Sequence, residues 1–254
     1  MILAIDMGNS NIKLGIVKNE SEILEERVKT EYDKTSFQYA MDISMLLSMY
    51  GVEKEDFEGA IVSSVVPSLT PVLSAAVNKV IGIRPMVVGA GLEYNIGFGD
   101  VDVSCLGADL LAASEGALKR YPLPCIIVNM GTATTMMVVD AGGVFRGGVI
   151  LPGMKTSLEA LTKGTAVLPD VQLGMPTFPI SYNTQECMRN GIVYGCAAEI
   201  DGITERMEEK TGPATVVATG GMAKFCVNQC KRKVILDDSL IMAGLLEIYR
   251  LNAE

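Results

Sequence analysis

Short apolar runs that end at Gly or Pro alternate with longer stretches of helical period along the chain. In the first half, apolar residues at 2–6 and 11–19 flank a turn of small polar residues, which predicts two strands joined as a hairpin. Apolar positions three and four apart after Pro67 predict a helix over 68–80. The other elements predicted in this half are strands over 59–66 and 85–88 and a helix over 107–121.

The second half repeats this plan. Its predicted strands cover 125–131, 135–140, 144–150 and 214–221. Its predicted helices open near Lys155, run from an Asn-Thr cap at 183–184 to Gly212, and close the chain over 237–252. A polar, Pro-containing loop is expected over 164–183, and the closing helix is expected to be capped by Asp237, Asp238 or Ser239.

An internal repeat relates the two halves. The segment IDMGNSNI aligns with VNMGTATT when Asp6 is placed on Asn129, so that Gly8 meets Gly131 and Asn11 meets Thr134. A repeat of this kind predicts two related α/β halves facing each other. We therefore expect two domains, over 1–121 and 122–254.

Composition narrows the possible functions. The 254 residues are 49% hydrophobic and carry a net charge of −9, so nothing in the composition suggests a nucleic-acid-binding protein, which would need a basic stripe. No window reaches the ~20 apolar residues of a membrane span, and the apolar run before Asp6 is too short for a signal peptide. We expect a cytoplasmic protein with six reduced cysteines. Histidine is absent, so any general base is a carboxylate, Lys, Tyr or Cys.

The first turn, after Asp6, suits phosphate binding. Gly8 allows tight turning, the amides of residues 8–11 can face phosphate oxygens, Lys13 adds positive charge, and Asp6 can hold Mg²⁺ through its waters. An ordinary hairpin turn is the alternative, but the second copy, GTATT, favours two loops that grip a polyphosphate. The segment ATGGMA (218–223) fits either a floor for a nucleotide base or a strand-to-helix turn that needs Gly.

Asp109 lies in the first turn of a predicted helix. There, an ionised carboxylate compensates the helix dipole, and the residue pattern alone favours this structural role over a catalytic one.

Several segments, in order over essentially the whole chain, resemble the type III pantothenate kinase family. They are DMGNSNIKLGIV, SSVVP, GAD, GTATT, GGVILPGMKTSLEALTKGTAVLP, NTQECMRNGIVYG, VVATGG and LIMAGLLEIY. The resemblance implies the fold of the acetate kinase, sugar kinase, Hsp70 and actin superfamily, an α/β fold of two RNase-H-like domains with a nucleotide cleft between them. It also implies a homodimer that phosphorylates pantothenate with ATP, the first step of coenzyme A biosynthesis, using Mg²⁺ and a monovalent cation, K⁺ or NH₄⁺.

The resemblance also implies roles for individual residues. Asp109 accepts the proton of the hydroxyl that is phosphorylated, and Asp6 lies near the magnesium. The residues implied to bind ATP are Asp6, Gly8, Asn9, Ser10, Asn11, Lys13, Gly131 and Thr132. The residues implied to contact pantothenate are Gly107, Ala108, Asp109, Leu110 and Thr184. The residues implied to hold metal ions are Asp6 and, for the monovalent cation, Asn129.

Two residues depart from the family pattern. Leu110 replaces the usual Arg, which removes a bidentate partner for an anion, and Asn129 replaces the usual Asp, which removes a charge from the cation site. Two hypotheses remain: an active pantothenate kinase with altered cation and substrate requirements, or a kinase-fold paralogue with weak or no catalysis and a nucleotide-binding or regulatory role. The apolar run GIVYGCAAEIDGI and the 15 methionines favour a homodimer.

Overall fold

Two five-stranded sheets, each with its own helices, make up the fold. The structure is a computed structural model and describes residues 1–19 and 21–253. The chain divides into two compact units. Unit 1 contains Met1–Ile96, Asp102–Lys119 and the chain from Ser239 onward, and unit 2 contains Gly97–Val101 and Arg120–Asp238.

The elements are numbered in chain order. The strands are β1 Ile2–Met7, β2 Asn11–Val17, β3 Ile23–Lys29, β4 Gly59–Ser64, β5 Met86–Val87, β6 Cys125–Met130, β7 Ala133–Val139, β8 Phe145–Pro152, β9 Thr215–Thr219 and β10 Ile235–Leu236. The α-helices are α1 Ser36–Tyr50, α2 Thr70–Ile81, α3 Ala108–Arg120, α4 Met154–Gly164, α5 Thr184–Thr211, α6 Ala223–Cys226 and α7 Leu240–Asn252. Three-residue 3₁₀ helices cover Lys54–Asp56, Val103–Cys105 and Val227–Gln229. No helix within the described ranges is long and apolar enough to cross a membrane.

The two sheets share one topology. Their strand orders are β3-β2-β1-β4-β5 and β8-β7-β6-β9-β10. In each sheet the central strand pairs antiparallel with the strand that follows it and parallel with the fourth strand of its half. The predicted α/β fold with two related halves is therefore confirmed.

The hairpin turns of the two halves differ in length by one residue. Met7 pairs with Ile12 across the first turn, whereas Met130 pairs with Thr134 across the second. The sequence alignment of the two halves is therefore wrong after Gly8 and Gly131. Because the second turn is one residue shorter, Asn11 does not correspond to Thr134. Lys13 pairs with Asp6 in the first sheet, and Thr135 pairs with Asn129 in the second. Thr135 is therefore the counterpart of Lys13.

Among the strands and α-helices of unit 1, β3 and α1 were not predicted. The helix α1 starts with a capping box in which Thr35 and Gln38 satisfy each other's backbone amides. Its outer face is also apolar: Phe37 and three methionines at 41, 45 and 49 are exposed. Apolar residues on both faces hide the helical period that sequence reasoning depends on.

The last helix, α7, packs in unit 1, although the sequence predicted it in the second domain. Gly116 in α3 and Gly244 in α7 lie against the backbone of the opposite helix, at Leu240 and Ala112 respectively. Contacts this close are possible only without a Cβ atom. Ser239 makes no side-chain cap to α7.

Asp237, another predicted cap of α7, has a different role within unit 2. Its carboxylate accepts bonds of 3.1 and 2.8 Å from Nη1 of Arg120 and a bond of 2.9 Å from the hydroxyl of Tyr121. The long helix α5 begins as predicted, with the Asn183 side chain accepting from the amide of Glu186. It ends at Gly212, also as predicted.

Candidate active site

Asp6 lies at the end of β1 and is the best-defined group of the site. Strand pairing places it between Lys13 on β2 and Ser63 on β4, on the same face of the sheet. The Ser63 hydroxyl donates a bond of 2.9 Å to Oδ1 of Asp6, and Ser63 itself is fully buried. Ser63 therefore fixes the orientation of the carboxylate, although sequence reasoning assigned it no role beyond its place in SSVVP.

The environment of Asp6 disfavours its negative charge. Burial, and then the negative charge of Asp109, raise the pKa of Asp6 from 3.8 to about 6, against the opposing effects of Ser63 and Lys13. Two carboxylates within electrostatic range are stabilised by a cation, since each otherwise raises the energy of the other's ionised form. Unit 1 thus holds a pair of acidic groups that suits a positively charged ligand or metal.

Asp109 lies in the first turn of α3, close to the glycine that precedes this helix. A Cβ at Gly107 would lie 2.6 Å from Oδ1 of Asp109, so a larger residue there would require this carboxylate to shift. Asp109 and Leu110 are half-buried, while Ala108 is buried. This position suits the helix dipole, and it also brings the negative charge of Asp109 within electrostatic range of Asp6.

The loop over residues 8–11, here called the phosphate loop, is held from two sides. The amide of Gly8 donates to the carbonyl of Asn11 at 3.0 Å, so this amide closes the turn and does not face a ligand, contrary to the prediction for residues 8–11. Thr30 lies just after β3 and donates two hydrogen bonds to this loop. Its hydroxyl donates to the carbonyl of Gly8 at 2.7 Å, and its amide donates to the carbonyl of Ser10 at 3.1 Å. Asn9, Ser10 and Asn11 are exposed at the tip of this loop.

Lys13 is a strand residue with little exposure. It is 8% exposed, and its ammonium lies 3.4 Å from Oε1 of Glu25 on β3. The positive charge of Lys13 lowers the pKa of Asp6, and the negative charge of Glu25 raises it. Glu25 was missed at the sequence level, because its contact with Lys13 depends on the register of β3.

The corresponding loop of unit 2, residues 131–133, is built in the same way and is here called the second loop. The amide of Gly131 donates to the carbonyl of Ala133 at 2.9 Å. The carbonyl of Thr132 accepts bonds from the Thr156 hydroxyl at 2.7 Å and the Gly153 amide at 3.1 Å. Gly153 and Thr156, where β8 passes into α4, therefore brace the exposed Thr132.

Asn129 lies in a row of three uncharged side chains, each of which has an oxygen that could bind a cation. Its pairing partners are Thr135 on β7 and Thr219 on β9, all on one face of the sheet. The hydroxyls of Thr135 and Thr219 are buried and have no hydrogen-bond partner among the residues that the structure describes. The row in unit 1, with Lys13, Asp6 and Ser63, carries charge, whereas this row does not.

The turn after β9 lies against the end of β6. Gly220 has a φ of 96°, and a Cβ there would lie 2.5 Å from the carbonyl oxygen of Met130. The amide of Met222 donates to the same oxygen at 3.2 Å. A strand-to-helix turn that needs Gly is therefore enough to account for the ATGG motif.

Thr184, a predicted substrate contact, is the exposed first residue of α5. It lines an open cavity of about 340 Å³ together with Asn183, Gln185, Glu186 and Arg189. The structure thus groups the other predicted residues as two clusters, one per unit, and places Thr184 in a cavity built from one helix start.

Comparison with known sequences shows which proteins this chain resembles. The model for type III pantothenate kinase matches residues 2–206. Over 252 residues the chain is 36% identical to a type III pantothenate kinase from an Exiguobacterium species, and this alignment covers 99% of both chains.

Solved structures with the same fold are more distant in sequence. A ROK family glucokinase from Streptomyces griseus, solved with glucose and AMPPNP, has a TM-score of 0.52 at 13% identity, covering 99% of this chain and 98% of its own. A ROK hexokinase from Thermus thermophilus has a TM-score of 0.53 at 12% identity, covering 98% of this chain and 98% of its own. At such identities the likeness shows the fold alone, which is that of sugar kinases and actin-like ATPases.

Proposed function

Because the chain belongs to the type III pantothenate kinase family, we propose that it transfers the γ-phosphoryl group of ATP to the hydroxyl of pantothenate. The product is 4'-phosphopantothenate, and the reaction opens coenzyme A biosynthesis. The observation that supports this proposal most is the acidic pair of Asp6 and Asp109 in unit 1, beside the phosphate loop. No observation on the described residues favours the alternative of a non-catalytic paralogue.

Asp109 is proposed as the group that accepts the hydroxyl proton of pantothenate. Phosphoryl transfer passes through a loose transition state, so the proton leaves late and a weakly basic carboxylate is sufficient. Catalysis then depends mainly on alignment and on stabilisation of phosphate charge. Gly107, Ala108 and Leu110 are proposed to border the same substrate, and Thr184 to contact it.

The phosphate loop and the second loop are proposed to bind ATP. In the phosphate loop the exposed residues Asn9, Ser10 and Asn11 are proposed to face phosphate oxygens, while Gly8 shapes the turn. Lys13, the strand partner of Asp6, supplies positive charge on the same face of the sheet. Gly131 and Thr132 are proposed as the second phosphate contact.

Mg²⁺ fits the acidic pair of unit 1. Magnesium in kinases binds one or two carboxylates together with substrate phosphates. Among the described residues there is no cluster of three or more acidic or thiol groups that could hold a metal ion alone, and Asp6 with ATP does not require one. When bound, the metal neutralises phosphate charge, and Asp6, oriented by Ser63, is the residue proposed to hold it.

A monovalent cation fits the neutral row of unit 2. Asn129 and the hydroxyls of Thr135 and Thr219, which have no hydrogen-bond partner in the described ranges, offer oxygen ligands without formal charge. Hard cations prefer oxygen ligands, and their affinity rises with ligand charge. We therefore propose that K⁺ or NH₄⁺ binds here more weakly than it would beside a carboxylate.

We also propose a homodimer. On α5, the exposed residues Gly191, Gly195 and Ala198 form a flat stripe that another helix could approach closely. Light scattering should give twice the chain mass of 27.1 kDa. A single species of one chain mass would contradict the dimer.

A steady-state assay tests the proposed activity. Purified protein, ATP, Mg²⁺ and pantothenate are combined with either KCl or NH₄Cl, and ADP release is followed by a coupled reaction. ADP release that depends on pantothenate, and that falls to background in Asp109→Ala, is expected. Release that is independent of pantothenate, or equal in the variant, would refute the assignment.

A further inference from the structure

Glu25 stands out among the charged residues of unit 1, because its charge is unfavourable for a phosphate site. It lies on β3, where it pairs with Gly15, so it is a diagonal neighbour of Lys13 on the same face of the sheet. Its Oε1 lies 3.4 Å from the Lys13 ammonium. Its Oε2 is buried and has no hydrogen-bond partner within the described part of the chain.

A buried carboxylate oxygen without a partner costs stability, and a negative charge near the phosphate loop repels ATP. A favourable effect of Glu25 on ATP binding would offset both costs. The contact with Lys13 can provide this effect, because a lysine ammonium on four rotatable bonds loses much entropy when a ligand fixes it. An ammonium already fixed by Glu25 avoids that loss when ATP binds.

We propose that Glu25 is a positioning residue for ATP: its carboxylate anchors the Lys13 ammonium beside the phosphate loop. This inference rests on the proposed function, because it takes ATP to be the ligand of that loop. Glu25 does not touch the nucleotide in this account. It helps ATP binding only through Lys13, and that restriction makes the account testable.

The neighbouring Glu26 provides a matched control. It is half-buried like Glu25 and lies on the same strand, but it pairs with Leu14 and faces the other side of the sheet. There its carboxylate accepts a bond of 3.0 Å from the hydroxyl of Tyr50. Glu25→Gln and Glu26→Gln therefore remove the same charge from the two faces of one strand.

The experiment measures the Kd of ATP with Mg²⁺ by equilibrium dialysis, with thermal unfolding of each variant as a fold control. Glu25→Gln should weaken ATP binding about fivefold, the cost of ordering one long side chain. Glu26→Gln should change the Kd by less than about twofold. Glu25→Asp, which keeps the charge, should recover most of the affinity.

A double-mutant cycle then separates positioning from a general structural effect. In a Lys13→Gln background, adding Glu25→Gln should cause no further loss of affinity. The residue through which Glu25 helps binding is gone, and removing a charge that repels ATP leaves the Kd unchanged or lower. An equal loss in both backgrounds, or an affinity of Glu25→Gln equal to or tighter than wild type, would overturn the inference.

The inference and the proposed function fail in distinguishable ways. A wild-type protein that binds ATP but does not phosphorylate pantothenate would refute the activity. The double-mutant cycle would then still test the role of Glu25, because it measures only ATP binding. An active enzyme with no effect of Glu25→Gln would refute only the role of Glu25. A wild-type protein that does not bind ATP would refute both.

Discussion

Replacing Asp6 by Asn should stabilise the ligand-free protein above pH 6 while abolishing the proposed magnesium contact. The pKa of Asp6 is raised from 3.8 to about 6, mainly by burial and then by the charge of Asp109. A carboxyl group with a raised pKa binds its proton more tightly in the folded state, so folding opposes ionisation. The resulting destabilisation is absent below pH 3.8 and complete above about pH 6.

The size of the effect follows from the pKa. A rise of this extent corresponds to roughly 3 kcal/mol when the group is fully ionised. Asp6 keeps part of its surface exposed, which reduces the value. Asn also keeps an oxygen that can accept the bond from Ser63, so that contact is not lost. We expect Asp6→Asn to gain about 1–3 kcal/mol at pH 8, or roughly 5 °C in Tm.

Urea unfolding followed by circular dichroism, in EDTA and at several pH values between 4 and 8, measures this gain. The difference between variant and wild type should grow with pH and level off above about pH 6. Asp102→Asn is a control of opposite sign, because hydrogen bonds from Ser104 hold the pKa of Asp102 below its usual value. A difference for Asp6→Asn that is the same at every pH, or a variant less stable at pH 8, would refute the reasoning.

Two further substitutions test the packing and the cation site. Gly244→Ala would place a methyl group on the carbonyl oxygen of Ala112, so it should cost about 3 kcal/mol in urea unfolding. Gly91→Ala, where a methyl meets open space, should be near neutral, and equal stability of the two variants would contradict the glycine contact. Asn129→Asp should lower the K⁺ concentration for half-maximal activity severalfold and leave the KM for ATP within about twofold. Equal changes in both quantities would show that Asn129 also serves ATP.

Sequence reasoning succeeded where the chemistry is local. Glycine turns after buried strands located both loops, and the Asn183 cap located the start of α5. The absence of histidine directed attention to carboxylates, and the structure brings two of them, Asp6 and Asp109, within electrostatic range of each other. Such features depend on residues that are close in the chain, so their pattern is visible before folding.

Sequence reasoning failed where the structure depends on long-range contacts. The place of α7 in unit 1 depends on the meeting of Gly116 and Gly244, which no local pattern shows. The contact between Lys13 and Glu25 requires the register of a strand that alternation did not reveal. The one-residue difference between the two hairpin turns likewise appears only when strand pairs are known.

The most direct test of the account is detection of the product itself. Wild-type protein is incubated with ATP, Mg²⁺, KCl and pantothenate, and the phosphorus NMR spectrum is recorded over time beside an Asp109→Asn reaction. The account predicts a phosphate monoester signal of 4'-phosphopantothenate that grows with wild type and falls by at least about 100-fold in rate with the variant. ATP that stays intact, or that yields only inorganic phosphate, would contradict it.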